Sequence, residues 1–143
     1  MASLSVIPKF VKKEITDGWV AETWRLMLLN STHIPNASTQ QYIASVSANQ
    51  IAATPGYALG GELVEDKAST ANPLALNNYF IDATDKVIGP GASLNYRFGI
   101  LYKDTGVPGT SPIRAQIDFE TDQIVSNGTS TIQWSSLGLI YIT

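Results

Sequence analysis

The chain has 143 residues, of which 15% are charged, with a formal net charge of −3, one histidine and no cysteine. That length suits one domain able to bury its own core, and the missing cysteines exclude disulfides and thiolate metal sites. The weak acidic balance argues against a phosphate-backbone binder, and no apolar run approaches the ~18 residues of a membrane-spanning helix.

Val6, Ile7, Phe10, Val11 and Ile15 recur at helical spacing, which predicts a short amphipathic helix with Pro8 in its first turn and Gly18 at its end. Residues 1–18 therefore read as an N-terminal arm, and residues 19–143 as one β domain. From Thr23 the period becomes two, with Trp24, Leu26 and Leu28 on one face of a strand. Asn30 to Asn36 is turn-rich, and Ser38 with Gln41 predicts a capping box that opens a short helix through Ile43. Pro55-Gly56 and Gly60-Gly61 punctuate a loop before a strand at 62–65. Tyr79-Phe80-Ile81 is a strand, and Gly89-Pro90-Gly91 predicts a break. Leu94, Tyr96, Phe98, Ile100 and Tyr102 then alternate with other residues, as one face of a core strand requires. After a loop over 103–112, Ile113, Ala115, Ile117 and Phe119 alternate again. Asn127-Gly128 predicts a turn between two strands, Ile132 and Trp134 share a face, and residues 139–143 close the chain as a strand after a turn at 135–138. The pattern predicts a mainly β fold, an antiparallel sandwich or barrel of jelly-roll type, with one or two short helices.

Candidates for chemistry are few, and each has a plainer reading. His33 stands in a polar turn with no Gly-x-Ser-x-Gly elbow to supply a nucleophile, which predicts an exposed loop histidine. Asp118, Glu120 and Asp122 could hold Ca²⁺ or act as acid and base, but as a row on a strand they read as solvated carboxylates or partners for Arg97 and Arg114. Gly56, Gly60 and Gly61 lack the lysine of a phosphate loop and read as positions needing positive φ or close approach. The Asn-x-Ser/Thr triplets at Asn30, Asn36 and Asn127 read as turn residues. Trp24, Trp134, Tyr96, Tyr102 and Tyr141 suit a packed β core, whereas Trp19 and Tyr57 stand in less regular surroundings that favour exposure and partner contact, sugars included. The basic triplet Lys9, Lys12 and Lys13 reads as a solvated face or as a contact for an acidic surface. No catalytic, cofactor or metal set emerges. The candidate interface residues are Lys9, Phe10, Lys12, Lys13, Trp19 and Tyr57.

Several blocks carry a resemblance. They include Lys9-Phe10, Asp17-Gly18, the run Trp24 to Ser31, His33-Ile34-Pro35, Gln41-Tyr42-Ile43, Val46 to Ile51 and Pro55 to Gly61. Further on come Leu101 to Gly106, Ser111-Pro112-Ile113, Ile117-Asp118-Phe119, Ser126-Asn127-Gly128, Thr131 to Trp134 and Gly138-Leu139-Ile140. Together they resemble a family of small structural proteins of tailed bacteriophages. Apart from Lys9-Phe10 and Asp17-Gly18 the blocks lie within 23–63 and 95–143, and residues 64–94 depart from the family pattern. The resemblance implies a virion component without enzymatic activity or cofactor, assembled in the bacterial cytoplasm. The preferred role is a capsid-decoration (cement) protein that binds the major capsid protein as a homotrimer, with neither nucleic acid nor membrane as a partner. The alternative is a tail, tail-fibre or neck component that contacts the host.

Overall fold

The computed structural model describes residues 9–71, 78–135 and 139–142. In chain order its elements are α1 (Lys9–Ala21), β1 (Trp24–Leu29), two 3-10 turns (Ile43–Ser45 and Ser47–Asn49), β2 (Glu62–Leu63), β3 (Ala68–Ala71), β4 (Tyr79–Asp82), β5 (Lys86–Lys103), a third 3-10 turn (Pro108–Thr110), β6 (Ile113–Ile132) and β7 (Ile140–Ile142). The fold is mainly β and antiparallel, as the strand pattern predicts. Both sheets are open among the described residues, so the barrel alternative is not realised.

The chain divides into two compact units. The larger, Thr23–Val64 with Lys86–Ile132, carries a four-stranded sheet in the order β2-β1-β5-β6. Its central strand β1 is apolar at five of six positions because both of its faces are buried: Trp24, Leu26 and Leu28 are inaccessible on one, Met27 and Leu29 on the other. Register sets Met27 against Ile100 and Leu29 against Phe98, and this face packs with Ile43 and Val46 from the 3-10 turns. The five alternating residues from Leu94 to Tyr102 are all buried, as expected. β2 covers only the start of β1. Beyond it, Ile51 N–H donates to Leu28 O (3.1 Å) and Leu28 N–H to the Tyr57 hydroxyl (2.9 Å), which completes that edge.

Three sequence signals resolve differently from expectation. Gly89-Pro90-Gly91 does not end a strand: between the pairs Ile88↔Ser130 and Ala92↔Gly128, β5 advances four residues while β6 advances two. Asn127-Gly128 likewise lies inside β6, which runs unbroken from Ile113 to Ile132. Positive φ at Gly89, Gly91 and Asn127 lets the extra residues bulge outward while pairing resumes on either side. The helix expected after Ser38 also fails to form. Asn36 instead holds a single turn, its carboxamide oxygen accepting Ser38 N–H at 3.0 Å, and Tyr42 is extended and bridged to Pro112.

The smaller unit comprises Met1–Glu22, Glu65–Asp85 and Gln133–Thr143. Its sheet has the order β3-β4-β7, and α1 packs against β3 and β4. Gly18 does not end the helix, which continues to Ala21; an interior glycine costs a helix only ~1 kcal/mol. The Lys13–Asp17 ion pair spans one turn, and the Ser69 hydroxyl of β3 donates to Asp17. Lys12 and Thr16, one turn apart, form the buried side, with the Thr16 hydroxyl donating to Lys12 O (3.1 Å) and Lys13 O (3.0 Å). The inward side of α1 thus joins Lys12 and Thr16 to the half-buried Ile15, Trp19 and Val20, and the expected apolar stripe is only partly buried. Phe10 is 70% exposed and Val11 also faces solvent, while Val6, Ile7 and Pro8 lie outside the described residues.

Candidate interaction site

One groove stands out in the larger unit, with a volume of about 480 Å³, between the loop at 58–61 and the β5–β6 connection at 104–111. Its floor begins with Arg25, the one charged residue of β1, placed in register with Tyr102 on β5 and Leu63 on β2. The Arg25 Nε donates to Asp104 Oδ2 at 2.7 Å, and Nη1 donates to Gly61 O at 3.3 Å. Asp104 is fixed further by its own N–H, donated to Thr23 O (2.8 Å), and by Gly106 N–H, donated to Asp104 Oδ1 (2.8 Å).

Both walls are held by hydrogen bonds within the chain. On one wall the Tyr102 hydroxyl donates to Gly60 O, and Ala58 N–H donates to Glu62 Oε1 at 2.7 Å. Gly61 sits at φ +89°, and a Cβ there would fall 2.3 Å from Leu26 O, so only glycine lets this loop lie against β1. On the other wall the Ser111 hydroxyl donates to Val107 O (2.8 Å), Thr105 N–H donates to Ser111 Oγ (3.1 Å), and the Thr105 and Thr110 hydroxyls lie 2.7 Å apart. The exposed large apolar side chains of the groove are Leu59, 69% exposed, and Val107, 56% exposed.

The ionisable groups of the groove are committed to structure. The Arg25 guanidinium, followed by Gly106 N–H, holds the Asp104 carboxyl below its ordinary range, and Asp104 in turn raises Arg25. Burial, with Asp104 second, pushes the Tyr102 phenol up to about 12. Arg25, Tyr102 and Asp104 thus offer no group poised to exchange a proton near neutrality.

The residues singled out in the sequence are dispersed. Tyr57, expected at the surface, is only 3% exposed: its hydroxyl accepts Leu28 N–H and Gln50 Nε2–H, both at 2.9 Å, and burial raises its pKa. It is a buttress of β1. Lys12, expected on a solvated face, is 6% exposed because the helix turns that side inward. Lys13 is spent on Asp17, Trp19 is half-buried, and Lys9 and Phe10 are exposed. His33 is buried where an exposed residue was expected. Its ring meets Phe98 edge-on at 5.2 Å, and Nε2 lies 3.1 Å from Gln116 Oε1, whose amide nitrogen donates to Gln40 Oε1 (3.0 Å).

Asp118 makes a two-pronged pair with Arg97 (2.6 and 3.2 Å), which lowers its pKa and raises that of Arg97. Glu120, at φ +68°, donates its N–H to the same carboxylate, so the acidic row is an arginine-bound bulge. Gly56, Gly60 and Gly61 all have positive φ, as expected of them. Asn30 and Asn36 close turns onto Thr32 and Ser38. Trp24, Tyr96 and Tyr102 are buried in the core; Trp134 is half-buried beyond the end of β6, donating its indole N–H to Thr84 O at 3.0 Å, and the Tyr141 side chain lies outside the described part.

Sequence reading missed Leu59, Val107 and the Arg25–Asp104 pair. The available signals were an arginine interrupting an apolar strand, which demands a partner, and Asp104-Thr105-Gly106, which has the form of an Asx turn. No family model, curated protein or solved structure matches this chain.

Proposed function

We propose that this chain is a structural protein of a tailed-phage virion, a decoration protein that binds the capsid surface as an oligomer, a homotrimer, and bridges neighbouring copies of the major capsid protein. The reading starts from the residue blocks that resemble that family. The structural observation that supports it is the exposure of Phe10 and Val11 at the start of helix α1. Exposing a phenylalanine at the head of a helix forgoes ~1.5–3 kcal/mol of burial, and a partner surface recovers that term. In this reading the exposed Phe10 and Val11 side of α1, whose other side packs on β3 and β4, meets the capsid or an adjacent copy, and the protein works through surfaces without catalysis or cofactor.

The test is the number of copies per purified virion, measured by quantitative mass spectrometry against the major capsid protein. A ratio near one per capsid subunit is expected. A handful of copies reassigns the protein to the tail or neck and to contact with the host. Absence from the particle overturns the structural reading.

A further inference from the structure

Strand β6 forms one edge of the four-stranded sheet, and we propose that its acidic bulge is a guard that keeps this edge from pairing with the same edge of a second copy. This guard operates whether or not the chain decorates a capsid. The strand is 20 residues long, and among the described residues no strand pairs with its outer side. Its start is covered, where Ile113 N–H donates to Gln41 O (2.9 Å) and the Gln116 amide to Gln40 Oε1 (3.0 Å). From Asp118 onward most positions are exposed, Ile124 at 69%. Residues 123–132 hold no charge and no proline, and Ile124, Val125, Thr129, Thr131 and Ile132 all favour strands. An open edge of that composition is a template for another strand.

The bulge interrupts that template by geometry and by charge. Between the pairs Phe98↔Asp118 and Tyr96↔Gln123, β6 advances five residues while β5 advances two. Glu120 is held there at φ +68°, a conformation that a side chain rarely takes and that persists only where its surroundings impose it. The surroundings are a clamp: Arg97 of β5 grips Asp118 through both carboxylate oxygens (2.6 and 3.2 Å), and Asp118 Oδ1 accepts Glu120 N–H at 2.7 Å. The Glu120 donor is thereby spent inside the chain and closed to a neighbouring strand. One guanidinium faces three carboxylates, Asp118, Glu120 and Asp122, so the bulge keeps a net negative charge. A second β6 laid antiparallel about Thr121 sets Glu120 of each copy against Asp122 of the other, and like charges so opposed disfavour the pair.

The test compares the full-length chain with two variants by sedimentation velocity at rising concentration, with thermal unfolding recorded alongside. Deleting residues 120–122 joins Phe119 to Gln123 and restores one-for-one pairing with β5 between Asp118 and Gln123. Glu120→Val/Asp122→Thr keeps the length, removes two charges and puts at 120 a β-branched residue that resists positive φ. Both of its positions are exposed, so this variant folds even if the deletion does not. The expected result is roughly double the wild-type mass or more for each folded variant, as pairing between copies requires. Adding Ile124→Lys, which returns a charge to the edge, is expected to bring both back to the wild-type mass. Wild-type mass for Glu120→Val/Asp122→Thr overturns the proposal, and so does association that Ile124→Lys leaves in place. A wild-type oligomer that dissociates on Ile124→Lys alone also overturns it, because the edge is then already in use.

Discussion

The four-stranded sheet and the helix α1 place their apolar residues in opposite ways. In β1 nearly every large side chain is inaccessible, and even the backbone edge is closed by Tyr57 and Ile51. In α1 a lysine and a threonine are turned inward and a phenylalanine outward. The sheet spends its hydrophobic residues on its own stability. The helix leaves Phe10 and Val11 in solvent. Apolar periodicity therefore identifies a face, but not what the face is for.

Three substitutions, in falling order of effect, would break or sharpen that contrast. Trp24→Ala removes a fully buried side chain from the central strand and should cost ~3–5 kcal/mol of unfolding free energy by urea titration. A cost below about 1 kcal/mol would mean that the site collapses freely and that the sheet is not the rigid half. Tyr57→Phe keeps the packing but deletes the acceptor of Leu28 N–H and Gln50 Nε2–H, with an expected loss of ~1–3 kcal/mol. Slower amide exchange at Leu28 in that variant than in wild type would contradict the role given to the hydroxyl. Phe10→Ser should change stability by no more than ~0.5 kcal/mol, as at exposed sites generally, while weakening capsid binding. A stability loss comparable to that of Trp24→Ala would place Phe10 in a core and erase the contrast.

Much of the fold was legible because it follows from period-two alternation, which is local. β1, the buried face from Leu94 to Tyr102, β4 and the first half of β6 fall where the sequence places them. The errors share a cause. Gly89-Pro90-Gly91 and Asn127-Gly128 are breakers in isolation, but across from a paired strand they are absorbed as bulges, because the ladder on either side outweighs the local preference. Ser38 and Gln41 fit a helix start, yet the bridge from Tyr42 to Pro112 draws the chain out straight. The candidate site was less legible still. Leu59, Arg25, Asp104 and Val107 come from three separate stretches of chain and converge only after β1 and β5 are in register.

By itself the sequence determined that this is a cysteine-free, weakly charged, mainly β protein, and that one face each of β1 and of the Leu94–Tyr102 stretch is buried, since alternation and turn chemistry act between neighbours along the chain. Tertiary structure alone decided that Tyr57 and His33 are interior, that α1 turns Lys12 and Thr16 inward while Phe10 stays outside, and that the loops at 58–61 and 104–111 meet around a neutralised ion pair. Those outcomes depend on which distant segments supply hydrogen bonds and cover, and a one-dimensional pattern does not carry that information.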